Sequence, residues 1–462
     1  MRKAAPVRQP GTTAIRRTPR GLGGVVLALT LLVSCTTAVP GEPTERTGIT
    51  TDTVDPSFVS GTDGSDIDRL AATIVTDVQQ YWRENFERTF GKQWQSINGF
   101  YSVDSNDQEG KPPPCTARTA ELEGNALYCA SVDSVVWDRA ALFPVLNAKY
   151  SGTSVLMVLA HEIGHAVHHR VGIGAEEQRK QPERYPTILT ESMADCYSGA
   201  TLRWAVDGHA PHLRVTPSDV DTALGVLMVL RDPVDVTGVD EATHGNAFDR
   251  ASALRDGYTG GPRRCADMTV QNRRFTVSES AVSRSPRSYQ QSVDAITAGL
   301  DRWFGALVRR NGGQWSKPDT ESGTSCGGQG PASFCVAEHA IRLDGRGELQ
   351  RLHEHIGDYS VGALLAARYG LAAMAALGRR VDGGSAGRDA LCLAGAYTDA
   401  ASRGADGSAS LAPGDLDEAV QVLLGYDYGS RNVAGAGIAS GFDRIEAFRS
   451  GVLGGAKACG IG

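Results

Sequence analysis

Apolar positions recur at helical intervals along most of this chain. The stretch IVTDVQQYWRENFERTFGKQW (74–94) has the two-faced pattern of an amphipathic α-helix and sets Trp82 and Trp94 twelve residues apart. VLMVLAHEIGHAVHHRVG (155–172) is apolar and free of Pro, which predicts a buried helix. TILTESMADCYSGATLRWA (187–205) predicts another, with Thr190 as N-cap and Glu191 in the first turn. Between them, GAEEQRKQPERYP reads as an exposed loop at the rim of a cleft. Short β-prone pieces such as DSVVW (133–137) predict an edge strand lining that cleft. The pattern as a whole is that of an α+β chain, mostly α.

The pattern also occurs twice. AFDRASALRDGYTGGPRRC (247–265) and GFDRIEAFRSGVLGGAKAC (441–459) agree at nine of nineteen positions. Trp82 and Trp94 are matched by Trp303 and Trp315, again twelve apart. LYCASVDSVVWD (127–138) faces SFCVAEHAIRLD (333–344), SVLMVLAHEIGHAV (154–167) faces SVGALLAARYGLAA (360–373), and TPSDVDTALGVLMVL (216–230) faces APGDLDEAVQVLLGY (412–426), all in one order. Two copies are too few for a solenoid. They predict a duplicated domain at 65–275 and 291–462, joined by a linker over 276–290.

At 462 residues the chain is long enough for two or three domains, and 41% hydrophobic with 21% charged residues is globular composition. A net charge of −7 without a basic stripe argues against nucleic acid as a partner. The N-terminus carries Arg2, Lys3, Arg8, Arg16, Arg17 and Arg20, then the apolar run GLGGVVLALTLLVS, too short to span a bilayer, and then Cys35. LVSC resembles a bacterial lipobox. The implied layout is a signal peptide over 1–34, lipidation of Cys35, and a flexible tether over 35–64 holding the protein on the extracytoplasmic face of the membrane. An ordinary secretory signal with an incidental Cys is the alternative. Eight cysteines remain, an even number suited to an oxidising compartment. Each copy holds four: Cys115, Cys129, Cys196 and Cys265, then Cys326, Cys335, Cys392 and Cys459. Four cysteines allow three pairings; first with second and third with fourth is favoured in each copy.

The buried helix carries the chemistry. His161 and His165 are one helical turn apart, so both imidazoles can reach one tetrahedral Zn²⁺, with Glu162 offset toward its water. A third protein ligand is required, and the metzincin continuation is excluded because His168 and Val171 occupy its Gly and His positions. Glu191 follows 26 residues after His165, and Asp195 one turn later on the same face. This Glu-x-x-x-Asp arrangement resembles the gluzincin class, which implies Glu191 as third ligand and Asp195 as the group orienting a ligating His. An alternative assigns the metal to Asp195 itself.

LAHEIGHAV, ESMADCYSG, THGNAFDR and GYTGGPRRC together resemble the bacterial neutral zinc metallopeptidase family. His161, Glu162, Gly164, His165, Glu191, Ala194, Asp195, Cys196, Gly199, His244, Gly245 and Arg250 fall on its pattern; Met193 and Asp249 depart from it. The resemblance covers about residues 110–265 and implies a zincin-like fold, one Zn²⁺ per chain and a peptide or protein substrate.

The second copy puts Ala367, Arg368 and Leu371 where the first has His161, Glu162 and His165, and Gly387 and Leu391 where it has Glu191 and Asp195. It is read as a degenerate copy without a metal site. Residues kept in both copies, such as Phe248, Asp249, Arg250, Arg255 and Gly260, then read as structural. Residues lost with the ligands read as functional, and His244, matched by Ile438, is one: either an oxyanion donor or a loop histidine beside a Gly turn. His168 and His169 continue the motif helix and could add ligands, but Arg170 beside them reads as an emerging solvent face, and His209, His212, His339, His353 and His355 match no ligand set. The leading expectation is a membrane-anchored zinc peptidase; the alternative is a non-catalytic zinc-binding lipoprotein acting as scaffold or binding module.

Overall fold

The computed structural model describes residues 49–50, 52–232, 244–276, 287–405, 411–412 and 414–462. The signal peptide, Cys35 and most of the expected linker lie outside the described residues. The first half runs α1 (Asp66–Phe90), β1 (Gly99–Val103), β2 (Ala126–Cys129), β3 (Ser134–Asp138), α2 (Leu142–Tyr150), α3 (Gly152–Arg170), α4 (Ala175–Lys180), α5 (Thr187–Val206), α6 (Pro217–Ala223), α7 (Val226–Val229) and α8 (Ala247–Ala266). The second half runs α9 (Tyr289–Arg310), β4 (Asp319–Gly323), β5 (Ala332–Cys335), β6 (Ala340–Asp344), α10 (Glu348–His355), α11 (Asp358–Ala376), α12 (Ala386–Ser402), α13 (Asp415–Gly425) and α14 (Gly441–Ala458). The architecture is α+β and mostly helical, and the described residues form one compact unit.

Each half has a small mixed sheet of one topology. β3 is central, parallel to β1 and antiparallel to β2; β6 is central, parallel to β4 and antiparallel to β5. DSVVW is therefore not an edge: all five residues of β3 are buried between its neighbours, and β2 is the edge strand beside the cleft. Its unbroken apolar run suits a central strand better than an alternating edge.

Local chemistry sets the helix ends. Ser65 accepts from Asp68 N–H to start α1, and Gly91, at φ 70°, ends it. α5 begins at Thr187, after Pro186, so Thr190 is not its N-cap and Glu191 is the fifth residue rather than in the first turn. The Pro186 ring presets φ for entry into a helix, and the Thr190 hydroxyl instead donates to the Thr187 carbonyl at 3.0 Å. GAEEQRKQPERYP contains the short helix α4 and does line the cleft. The last part of the expected tether is packed: Ile49 and Val59 are buried, and Thr50 and Ser60 bridge to Leu213 and Tyr101. Two apolar side chains and two backbone bridges give it a place on the first half.

The helices that matter most approach unusually closely. A Cβ on Gly164 of α3 would meet Ala194 Cα of α5 at 2.9 Å. Where α5 meets α8, a Cβ on Gly199 would fall 1.9 Å from Leu254 O, and one on Gly257 1.7 Å from Cys196 O. Gly395 and Gly451 bring α12 and α14 together in the same way. Disulfides Cys196–Cys265 and Cys392–Cys459 lock these two pairs, while Cys115–Cys129 and Cys326–Cys335 clasp the sheet loops.

Candidate metal centre

α3 is apolar around its circumference, so its few polar side chains must be satisfied by neighbouring elements. His161, Glu162, His165 and His168 lie on it; α5, held close by Gly164, supplies Glu191 and Asp195; and α8 supplies Arg250.

His161 Nε2 and His165 Nε2 stand 3.1 Å apart, and Glu191 is 3.2 Å from the first and 3.5 Å from the second. Ligands ~2.0–2.1 Å from a tetrahedral zinc lie ~3.3–3.4 Å from one another. Glu191 Oε2 is buried and meets no well-aligned hydrogen bond. Two nitrogens and a carboxylate converging at this spacing fit a cation, and these three side chains form a group that could hold one.

Both imidazoles are oriented from behind. His161 Nδ1 lies 2.8 Å from Asp195 Oδ1, and Arg250 forks onto the same carboxylate, Nε 3.0 Å from Oδ2 and Nη2 2.9 Å from Oδ1. His165 Nδ1 lies 3.0 Å from His168 Nε2, whose Nδ1 lies 2.8 Å from the Ile173 carbonyl. A carbonyl only accepts, so His168 holds its proton on Nδ1 and accepts at Nε2 from His165. That fixes the His165 tautomer with its Nε2 lone pair toward Glu191 and His161.

The electrostatics agree with this wiring. Burial disfavours charge on His161, but the Asp195 and Glu191 carboxylates outweigh it and raise its pKa. Burial pushes His168 down to about 4, keeping it neutral. Asp195 is held low against burial by Arg250 and His161. Burial pushes Glu162 up to about 7.

Glu162 lines two cavities of about 80 and 1140 Å³ that share Asn125, Ala126, Glu162 and His244 among their walls. The larger runs along β2 and the segment from Gly174 to Thr190; the smaller is lined by apolar side chains including Met157, Val158 and Leu227. His244 stands at the rim, about half exposed, its Nδ1 3.5 Å from Asp232 Oδ1, which raises its pKa.

The structure thus gathers His161, Glu162, His165, Glu191, Asp195 and His244 around one cleft. Cys35 lies outside the described residues. Two contributors were misjudged from sequence. His168 is buried rather than on a solvent face; its spacing of three from His165 on one helix was the available signal. Arg250 was set aside as structural because it occurs in both halves, yet it is the counter-ion of Asp195. Arg170, read as part of the solvent face, pairs with Asp133 at 2.9 Å and lies over Trp94.

Residues 3–268 match the family described as "Putative neutral zinc metallopeptidase". The chain belongs to that family. No curated protein and no solved structure matches this metallopeptidase-family chain.

Proposed function

We propose that this chain hydrolyses peptide bonds in a peptide or protein substrate, using one Zn²⁺ held by His161, His165 and Glu191. The observation that carries the reading is the buried Glu191 oxygen lying among two imidazole nitrogens at zinc-ligand spacing, with Glu162 beside them. Zinc, when bound, supplies Lewis-acid polarisation of a carbonyl and lowers the pKa of a coordinated water toward ~7. Glu162 takes the proton of the attacking water on its carboxylate and passes it to the leaving amine. A base whose pKa burial raises toward 7 is well matched to proton transfer near neutrality. Asp195 and His168 hold the two imidazoles in their ligating orientation, and Arg250 keeps Asp195 ionised. His244 donates to the developing oxyanion from the rim.

The second half is proposed to be a duplicate of the first that lacks the site formed by His161, His165 and Glu191. Supporting this are the matching sheet orders β1-β3-β2 and β4-β6-β5, the repeated disulfide spacing, and breaks at Gly261 (φ 68°) and Gly455 (φ 63°) in the two final helices. The proposed setting is the extracytoplasmic face of the membrane, with Cys35 as lipid anchor; this rests on the N-terminal sequence.

The decisive experiment measures zinc per chain by elemental analysis on soluble protein starting after Cys35, followed by peptide cleavage. A value near one, with cleavage lost on chelation and in Glu162→Gln protein that keeps its zinc, supports the proposal. Protein purified without chelator that holds no zinc overturns it. Zinc retained without any Glu162-dependent cleavage favours the non-catalytic binding protein.

A further inference from the structure

The segment carrying His244 and Arg250 is not held by the first half alone. Asn246 caps α8 by accepting from Asp249 N–H, but the N–H of Ala247, first residue of the helix, donates to Asp417 Oδ1 of α13 at 2.8 Å. Asp417 Oδ2 lies 3.1 Å from Arg231 Nε. The next residue, Asp232, accepts from Gly245 N–H at 2.6 Å and stands beside His244 Nδ1. Arg250 closes the circuit by donating to the Leu230 carbonyl at 2.6 Å. One buried carboxylate from the second half thus ties down the chain on both sides, at residue 231 and at residue 247.

The exchange is mutual, which makes it informative. Asp221 Oδ1 of α6 accepts from Phe442 N–H at 2.9 Å and from Ser440 Oγ at 3.0 Å, at the start of α14. Each half therefore caps the final helix of the other, satisfying amides that the helix itself leaves open. The consequences differ. α14 is preceded by Ile438 and carries Arg444, whose guanidinium is spent on backbone carbonyls; α8 is preceded by His244 and carries the counter-ion of Asp195. One cap is purely structural, and the other stands behind the cleft.

We infer that the second half serves the cleft as a positioning element, with Asp417 holding His244 in place through Ala247 and Arg231. The kinetic consequence rests on the peptidase reading above; the structural one does not. The test compares Asp417→Asn, Asp221→Asn, His244→Ala and the double variant Asp417→Asn/His244→Ala, all as zinc-loaded protein. Asp417→Asn keeps an acceptor for Ala247 but removes the charge facing Arg231. Hydrogen exchange should quicken over 244–250 in Asp417→Asn and over 438–444 in Asp221→Asn. In Asp417→Asn, kcat should fall about ten- to a hundredfold, with KM and zinc content unchanged. Asp221→Asn should leave kcat alone, and Asp417→Asn should cost nothing further once His244 is Ala. Arg231→Gln breaks the same contact from the first half and should reproduce the result if Asp417→Asn fails to fold. Unchanged exchange over 244–250, an equal kcat loss in Asp221→Asn, or losses that multiply in the double variant would each overturn the inference. If the wild type cleaves nothing, the peptidase reading fails, and the exchange data alone decide the positioning claim.

Discussion

At the middle of α3, two imidazoles and Glu162 face a carboxylate from α5; on α11, where the sequence pairing sets it against Glu162, stands Arg368, 1% exposed. Its guanidinium donates to Gln329 Oε1 at 2.7 Å and to the carbonyls of Tyr428 and Gly429 at 2.9 and 3.2 Å. Among the described residues no carboxylate pairs with it, and burial pushes its pKa down to about 9. Where α11 carries no histidine pair, the interior still needs filling and every buried donor satisfying. Arg368 meets both needs with neutral acceptors. The same lesson holds one helix away: Arg250 forks onto Asp195, whereas Arg444, in a half with Leu391 as the sequence counterpart of Asp195, turns its donors to the carbonyls of Leu423, Leu424, Ile438 and Ala439. A residue kept at one position can do two jobs, decided by what faces it.

The contrast can be pressed experimentally. The largest effect belongs to Glu162→Gln, which should lower kcat/KM on a peptide about 10²–10⁴-fold while zinc stays bound, whereas Arg368→Gln should leave kcat/KM unaltered. Comparable losses from the two would erase the distinction between the halves. Next are the disulfides that tie the final helices. Replacing Cys196 and Cys265 by Ser, or Cys392 and Cys459, should each cost about 2–4 kcal/mol in denaturant unfolding, because the closed loops span 69 and 67 residues. Here the halves should behave alike, and a large asymmetry would count against a shared scaffold.

A smaller effect is expected at the support of the ligands. Asp195→Asn should weaken zinc affinity about 10–100-fold in a competitive chelator titration, and its counterpart Leu391→Asn should not change it. The smallest is the pH response. Glu162 must be ionised to accept a proton, and burial raises its pKa from 4.5 to about 7 while a nearby cation draws it down. The rate should therefore fall as pH drops through a break between those two values, about tenfold per unit, in a kcat/KM profile.

Much of the site was legible because helical geometry converts spacing into proximity. His161 and His165 share a face of α3, and Glu191 and Asp195 share a face of α5. What could not be read was tertiary. The neighbourhood of Arg170 suggested solvent at His168, since nothing in the sequence announces that the chain doubles back at Ile173 to accept its proton. β3 was taken for an edge because its position between β1 and β2 depends on its pairing with a strand thirty-five residues away, on the side opposite the β2 hairpin. The capping of α8 by Asp417 spans 170 residues and leaves no local trace.

The bridge from Cys196 to Cys265 has a consequence of timing. Cys196 follows Asp195 directly, and Cys265 lies on the helix that carries Arg250, so the bond clamps together the two helices whose ion pair steadies His161. That clamp forms only where thiols are oxidised. A newly made chain in a reducing environment has all its ligands but lacks the brace behind one of them. A reductant that opens this bond is expected to loosen the Asp195–Arg250 pair without touching any of the three candidate ligands.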